Sequence, residues 1–143
     1  MGDVILAPGA KGLDFGAGPG PALAMMMGEE GFNIHLYDPI FHPNASTLEQ
    51  TYDFITCTET AEHLANPIRE FQILDRMLRP LGWLGVMTGM LESWNAFAEW
   101  YYHRDPTHIC FYSKCTMQWV ANVFSWDIHF PRQNVVLFRK PNT

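Results

Sequence analysis

Three stretches of this 143-residue chain carry residue types at spacings that could do chemistry. The first is Asp14-Phe15-Gly16-Ala17-Gly18-Pro19-Gly20, an acid two residues before three alternating glycines. Glycine takes up positive φ and lets a ligand approach the backbone where a Cβ would collide. A pyrophosphate would be repelled by the Asp14 carboxylate, whereas a cationic ligand would be complementary to it. The second stretch is Asp38-Pro39, about 20 residues further on, where a carboxylate can accept both hydroxyls of a ribose diol or simply start a turn. The third is Glu59-Thr60-Ala61-Glu62-His63. On one helical turn, Glu59, Glu62 and His63 would share a face. Two carboxylates that close repel unless a cation or a proton lies between them. His108, in Arg104-Asp105-Pro106-Thr107-His108, could supply a fourth ligand from across a cleft. Such a mixed set suits Mg²⁺ or Mn²⁺, less securely Zn²⁺. The alternative is a pair of solvated acids at a helix N-terminus. Without a metal, His63 is the candidate general base, with His108 behind it, or a helix-capping histidine.

The elements that must position these residues are legible in turn. A short strand over 12–15 runs into the glycine loop, and Pro21 is preset for the first turn of a helix reaching Glu30. That helix would offer its N-terminal amides to a ligand. Gly31 is placed to end it in the left-handed conformation. Phe32 to Tyr37 alternates and reads as a second strand ending at Asp38. Residues 40–51 give no clear strand, only a possible helical turn. Tyr52 to Thr58 reads as a central strand. Asn66-Pro67 opens a helix through Arg79 whose Ile68, Phe71, Leu74, Met77 and Leu78 share one face. Pro80-Leu81-Gly82 stops it before a strand from Leu84 to Thr88. Trp94, Phe97, Trp100, Tyr101 and Tyr102 belong to an aromatic segment, 94–112, read either as core or as a wall of an acceptor pocket. Ser113 caps a helix over 114–123, and Trp126–Pro131 with Asn134–Lys140 make a closing antiparallel hairpin.

Composition bounds the rest. At 48% hydrophobic and 17% charged the chain is globular, and one domain over 1–143 accounts for its length. A net charge of −6 with no basic run argues against a large nucleic acid partner. Three cysteines, Cys57, Cys110 and Cys115, with no C-x-x-C pair suit free thiols in a reducing compartment. No apolar run approaches a membrane span, so the expectation is a cytoplasmic protein.

D-x-G-x-G-x-G after a strand resembles the first motif of class I S-adenosylmethionine-dependent methyltransferases. The resemblance is closest to a broad bacterial family sharing Y-D-x-I-x-x-x-E-x-x-E-H, here Tyr52 to His63, and R-D-P-T-H followed by F-Y-S, here Arg104 to Ser113. Leu-Arg-Pro-Leu-Gly at 78–82 is similar to the family's L-x-P-G-G passage, with Leu81 in place of the first glycine. The resemblance implies an α/β, Rossmann-like sheet, mostly parallel, with a C-terminal antiparallel hairpin and a third strand reduced or absent. It implies S-adenosyl-L-methionine held by Asp14, Gly16, Ala17, Gly18, Gly20, Tyr37, Asp38, Pro39, Thr58 and Glu59, with the adenine contacts unassigned. It further implies methyl transfer to the oxygen or nitrogen of a small acceptor. A similar E-x-x-E-H resembles a divalent-metal site in ubiquinone-pathway O-methyltransferases and small-RNA 2′-O-methyltransferases. The family's helices before the first strand have no counterpart here, so a homodimer or another partner covering that side is expected. A nicotinamide-dependent oxidoreductase would want G-x-G-x-x-G without the Asp14 charge. A non-catalytic cofactor-binding or scaffold protein is the main alternative, since fold alone does not guarantee activity.

Overall fold

A computed structural model of the chain describes residues 6–58, 60–91 and 104–143. β1 (Lys11–Phe15) leads through the glycine loop into α1 (Ala22–Glu29) and β2 (Asn33–Tyr37). A 3₁₀ turn at Ala45–Glu49 precedes β3 (Tyr52–Thr58), and a second at Ala61–His63 precedes α2 (Pro67–Met77). β4 (Leu78–Met87), α3 (Lys114–Phe124), β5 (Asp127–Arg132) and β6 (Val135–Arg139) complete the described elements. Among the described residues these strands form one sheet in the order β2-β1-β3-β4-β6-β5. β2, β1, β3 and β4 run parallel, and β6 pairs antiparallel with both β4 and β5.

The sheet is buried unevenly on its two faces. Phe71, Leu74 and Met77 of α2 and Met117, Val120 and Ala121 of α3 pack into one cluster with Leu13, Ile55, Leu84, Val86 and Phe138. On the other face a smaller cluster holds Ala10, Met27 and Phe54, with Leu23 of α1 packed against it. Gly12 in β1 lies under the Phe54 ring, which a Cβ at that position would strike. Deleting a ring such as Phe71, which is 1% exposed, would cost about 3–5 kcal/mol.

Two helix starts follow from their caps. Asn66 Oδ1 accepts from the Arg69 amide at 3.4 Å with Pro67 as the first helical residue, and Ser113 Oγ accepts from the Thr116 amide at 3.2 Å. Two boundaries differ from the sequence reading. Pro21 has ψ 66° and stands outside α1 as its cap residue, so the helix begins at Ala22. α2 ends at Met77, and Leu78 turns extended (φ −77°, ψ 129°) to pair with Tyr52, one residue before Arg79, which Pro80 disfavours from helix. β4 therefore starts at Leu78 and bulges, its pairing with β3 jumping from Tyr52↔Leu78 to Phe54↔Trp83. Leu81 sits in that bulge at φ +64°. Between β2 and β3 no strand is formed among the described residues; Asp38 and His42 make an isolated bridge there. No helix among the described residues is long and apolar enough to cross a membrane.

Candidate functional site

β1 and β2 are parallel neighbours, so their last residues, Phe15 and Tyr37, arrive together at the carboxyl edge of the sheet. Their rings stack with centroids 5.6 Å apart. The chain leaving β1 must then turn sharply, and Gly16 and Gly18 do this at φ +78° and +69°. The amides of Gly16 and Ala17 both donate to the Tyr37 carbonyl, at 2.8 and 3.1 Å. The Thr60 hydroxyl lies against the Gly16 carbonyl (3.3 Å) and the Thr58 carbonyl (3.0 Å). A Cβ on Gly16 would run into the Thr60 side chain, whereas one on Gly18 would meet nothing within 4 Å. The two glycines thus have different duties: Gly16 makes room for Thr60, and Gly18 leaves room above the loop.

That open space belongs to a cavity of about 660 Å³. Gly16, Gly18, Tyr37, Asp38 and Pro39 line one side of it, and Thr60, His63, Leu64 and Thr107 another. Asp38 is the anchor between loop and turn. Its Oδ2 accepts from the Gly18 amide at 3.0 Å, and its Oδ1 from the amides of Ile40 (2.9 Å) and Phe41 (3.1 Å). Partial burial pushes the Asp38 carboxyl up, but these three amides and nearby His42 outweigh it and hold the group below the usual carboxylate range. Ile40 and Phe41 are exposed apolar residues on the cavity rim.

Asp14 occupies a different place from the one its position suggests. It is 6% exposed, accepts a hydrogen bond from the Thr56 hydroxyl at 3.1 Å, and is not among the residues lining the cavity. Burial raises its carboxyl above the usual range, against the opposing pull of Thr56 and His42. His42 thus acts electrostatically on both acids, and its buried Nε2 has no hydrogen-bond partner among the described residues. Ala17, Gly20 and Thr58 support the loop and β3 without lining the cavity. Glu59 lies outside the described residues, as do Trp94, Phe97, Trp100, Tyr101 and Tyr102 of the aromatic segment.

The two histidine motifs meet across the cavity wall. The amides of Ile109 and Cys110 donate to the Glu62 carbonyl at 2.8 and 2.9 Å, and the Tyr112 hydroxyl donates to the Ala61 carbonyl at 2.9 Å. His63 Nδ1 lies 2.7 Å from the Thr107 carbonyl, an acceptor only, so this nitrogen carries a proton, and in the neutral ring the lone pair is on Nε2. Nε2 is 3.8 Å from Glu62 Oε1, and the His63 and His108 rings meet edge to face at 4.9 Å. Ligand atoms of Glu62, His63 and His108 all lie within 4.8 Å of one another. Asp105 Oδ1 holds the Thr107 amide (2.9 Å) and hydroxyl (2.7 Å), while its Oδ2 is 3.5 Å from His108 Nε2.

Glu62 does not fit the alternative of solvated acids at a helix N-terminus. The turn is a three-residue 3₁₀ segment, and Glu62 is fully buried, accepting from the buried Thr88 hydroxyl at 2.8 Å. Sequence reasoning missed Thr60, an unassigned position inside the E-x-x-E-H run, Thr88 and His42, which belong to no motif, and the part played by Thr107. The Asp38 turn was open to it, because an aspartate before proline often bonds amides two and three residues on.

A family model described as a methyltransferase domain matches residues 4–128. No curated protein matches the chain by sequence. Among solved structures, the complex between the Haloferax volcanii Trm112 methyltransferase activator and a methyltransferase is similar at a TM-score of 0.74 and 13% identity, over 98% of this chain and 86% of that one. An S-adenosylmethionine-dependent methyltransferase from Methanosarcina mazei gives 0.69 at 13% identity, over 96% and 95%. One from Thermotoga maritima gives 0.59 at 15% identity, over 94% and 84%. At such identities the structural likenesses speak for the fold.

Proposed function

The chain belongs to the methyltransferase-domain family of class I S-adenosylmethionine-dependent fold, and from that premise we propose that it transfers a methyl group to the oxygen or nitrogen of a small acceptor. S-adenosylmethionine, when bound, supplies a methyl group on a cationic sulfonium. What carries the reading is one cavity with an open Gly18 and an Asp38 carboxylate on one wall and the His63 imidazole on the other.

The residues present fit such a cofactor. Asp38 Oδ2 has one lone pair engaged by the Gly18 amide and one left for a ribose hydroxyl. Asp14, buried below the loop, contributes negative potential to the site without touching the cavity. His63 is oriented by the Thr107 carbonyl so that Nε2 can take a proton from an acceptor hydroxyl. An acceptor already bearing a lone pair needs no base, and His63 then only helps exclude water. If the His63 Nε2 lone pair serves a metal instead of a proton, Glu62, His63 and His108 would hold a divalent ion such as Mg²⁺ or Mn²⁺ through one carboxylate oxygen and two ring nitrogens. Their spread would have to contract for all three to reach one ion at about 2.1 Å.

β2 is an edge strand of the sheet, and Met25 and Met26 of α1 and Ile40 and Phe41 beyond β2 are exposed. We place a second copy or another protein partner on this side.

Calorimetry with S-adenosylhomocysteine tests the cofactor, and a methyl-donor turnover screen tests the activity. Heat of binding with turnover on a hydroxyl or amine acceptor is expected. Binding with no turnover on any acceptor class favours the scaffold reading, and absence of binding refutes both. Turnover unchanged in excess EDTA, with no metal in the purified protein, would remove the ion and leave His63 as a base alone.

A further inference from the structure

A second cavity, of about 670 Å³, opens at the carboxyl edge of the sheet on its β4-β6-β5 side. Met90, Phe130 and Pro131 give it apolar walls. Lys114, the first residue of α3, and Arg132, the last of β5, add two cations, and among the described residues no acid lines it. That is the reverse of the chain as a whole, which carries 15 acids against 9 lysines and arginines. Neither cation is paired with a carboxylate among the described residues. The Lys114 ammonium lies 5.4 Å from the Phe130 ring centroid, which keeps it on the cavity wall. The amino end of α3 adds partial charge of the same sign.

The two cavities share a strip of chain. Thr107 lines the first and Ser113 the second. Between them Tyr112 accepts from the Leu91 amide at 2.8 Å and anchors its hydroxyl on Ala61. Six residues, even fully extended, span no more than about 20 Å.

We infer that this second cavity is an oxyanion site, which takes the carboxylate or phosphate of an acceptor with an apolar or aromatic body. An arginine fork matches either group, and the lysine supplies the second charge. The apolar walls take the body, whose reacting end extends toward His63. Naming the ligand an acceptor rests on the methyltransferase reading; anion binding itself does not.

Cys115 lines the same cavity and is exposed, whereas Cys57 is buried and Cys110 half-buried. Its alkylation by iodoacetamide in the full chain, read by mass spectrometry, therefore reports occupancy. Phenyl phosphate and benzoate are the probes, and benzyl alcohol is the uncharged control. Both anions are expected to slow Cys115 modification saturably, the better one identifying the preferred group. Lys114→Gln and Arg132→Gln should each raise the half-protecting concentration about three- to tenfold. Arg76→Gln, which removes an equal charge from the exposed face of α2, should leave it unchanged. Equal protection by benzyl alcohol, an equal effect of Arg76→Gln, or no protection at all would overturn the inference. Binding of S-adenosylhomocysteine is measured on the same samples. If it persists while protection fails, only this inference falls; if protection persists without it, the anion site stands and the methyltransferase reading falls.

Discussion

Gly16 and Gly18 share a left-handed backbone yet should respond differently to the same substitution. Alanine at φ near +70° costs about 1–2 kcal/mol, offset in part by the stiffer unfolded chain, for a net of about 1 kcal/mol. For Gly18→Ala that is the whole effect, because the new Cβ meets nothing within 4 Å. The melting temperature should fall by about 3–5 °C. For Gly16→Ala the Cβ overlaps Thr60, which must rotate and give up its contacts to the Gly16 and Thr58 carbonyls. The total should then reach about 2–3 kcal/mol. Binding should rank the two positions the other way among folded variants. The open space over Gly18 is where a cofactor would approach, so Gly18→Val should raise the Kd for S-adenosylhomocysteine more than tenfold, a loss of at least about 1.4 kcal/mol. Thermal melts and calorimetry on the same preparations give both numbers. A folded Gly18→Val that binds like the parent would refute the cofactor's place above this loop, and a Gly16→Ala as stable as Gly18→Ala would refute the Thr60 argument.

Asp38→Ala should weaken S-adenosylhomocysteine by about 1.5–3 kcal/mol, since it removes a charged acceptor and frees the Gly18 amide; an unchanged calorimetric Kd would count against that placement. Because the Asp38 carboxyl is held below its unfolded value, its contribution to stability is present above the unfolded pKa near 3.8 and lost as pH falls through the lower folded value. Parent and Asp38→Ala should therefore differ in denaturant midpoint at pH 7, and the difference should shrink as pH falls through the lower folded value. Asp14 has the opposite sign: burial raises its carboxyl, so stability falls as pH rises from 3.8 through the folded value. Asp14→Asn should melt higher than the parent at pH 7 and no higher at pH 3, while binding the cationic cofactor more weakly; equal melting at pH 7 would refute the burial argument. Leu81 holds φ +64° with its side chain 47% exposed, so Leu81→Gly should stabilise the fold by about 0.5–1 kcal/mol in urea titration, and a loss would mean that its side chain contributes packing.

Local chemistry was legible in the chain itself. The glycine loop, the strand Tyr52–Thr58, the caps at Asn66 and Ser113 and the closing hairpin each depend on a few neighbouring residues, so their sequence signals survive in the fold. The same locality explains the errors. Pro80 marked where α2 could not continue, yet β4 begins at Leu78 because pairing with Tyr52 of a distant strand draws it out of the helix two residues earlier.

Sequence by itself determined that an acid precedes three glycines, that Asp38 follows about 20 residues later, and that two histidine motifs lie more than 40 residues apart. Only the tertiary structure decided what they become. It buried Asp14 against Thr56 and Glu62 against Thr88, and it set the Thr107 carbonyl on His63. It also inserted β6 between β4 and β5, which brings the turn after Arg132 to the carboxyl edge beside α3. The reason is physical: burial, a carbonyl's aim at an imidazole and strand order are set by partners tens of residues away, and no local pattern encodes them.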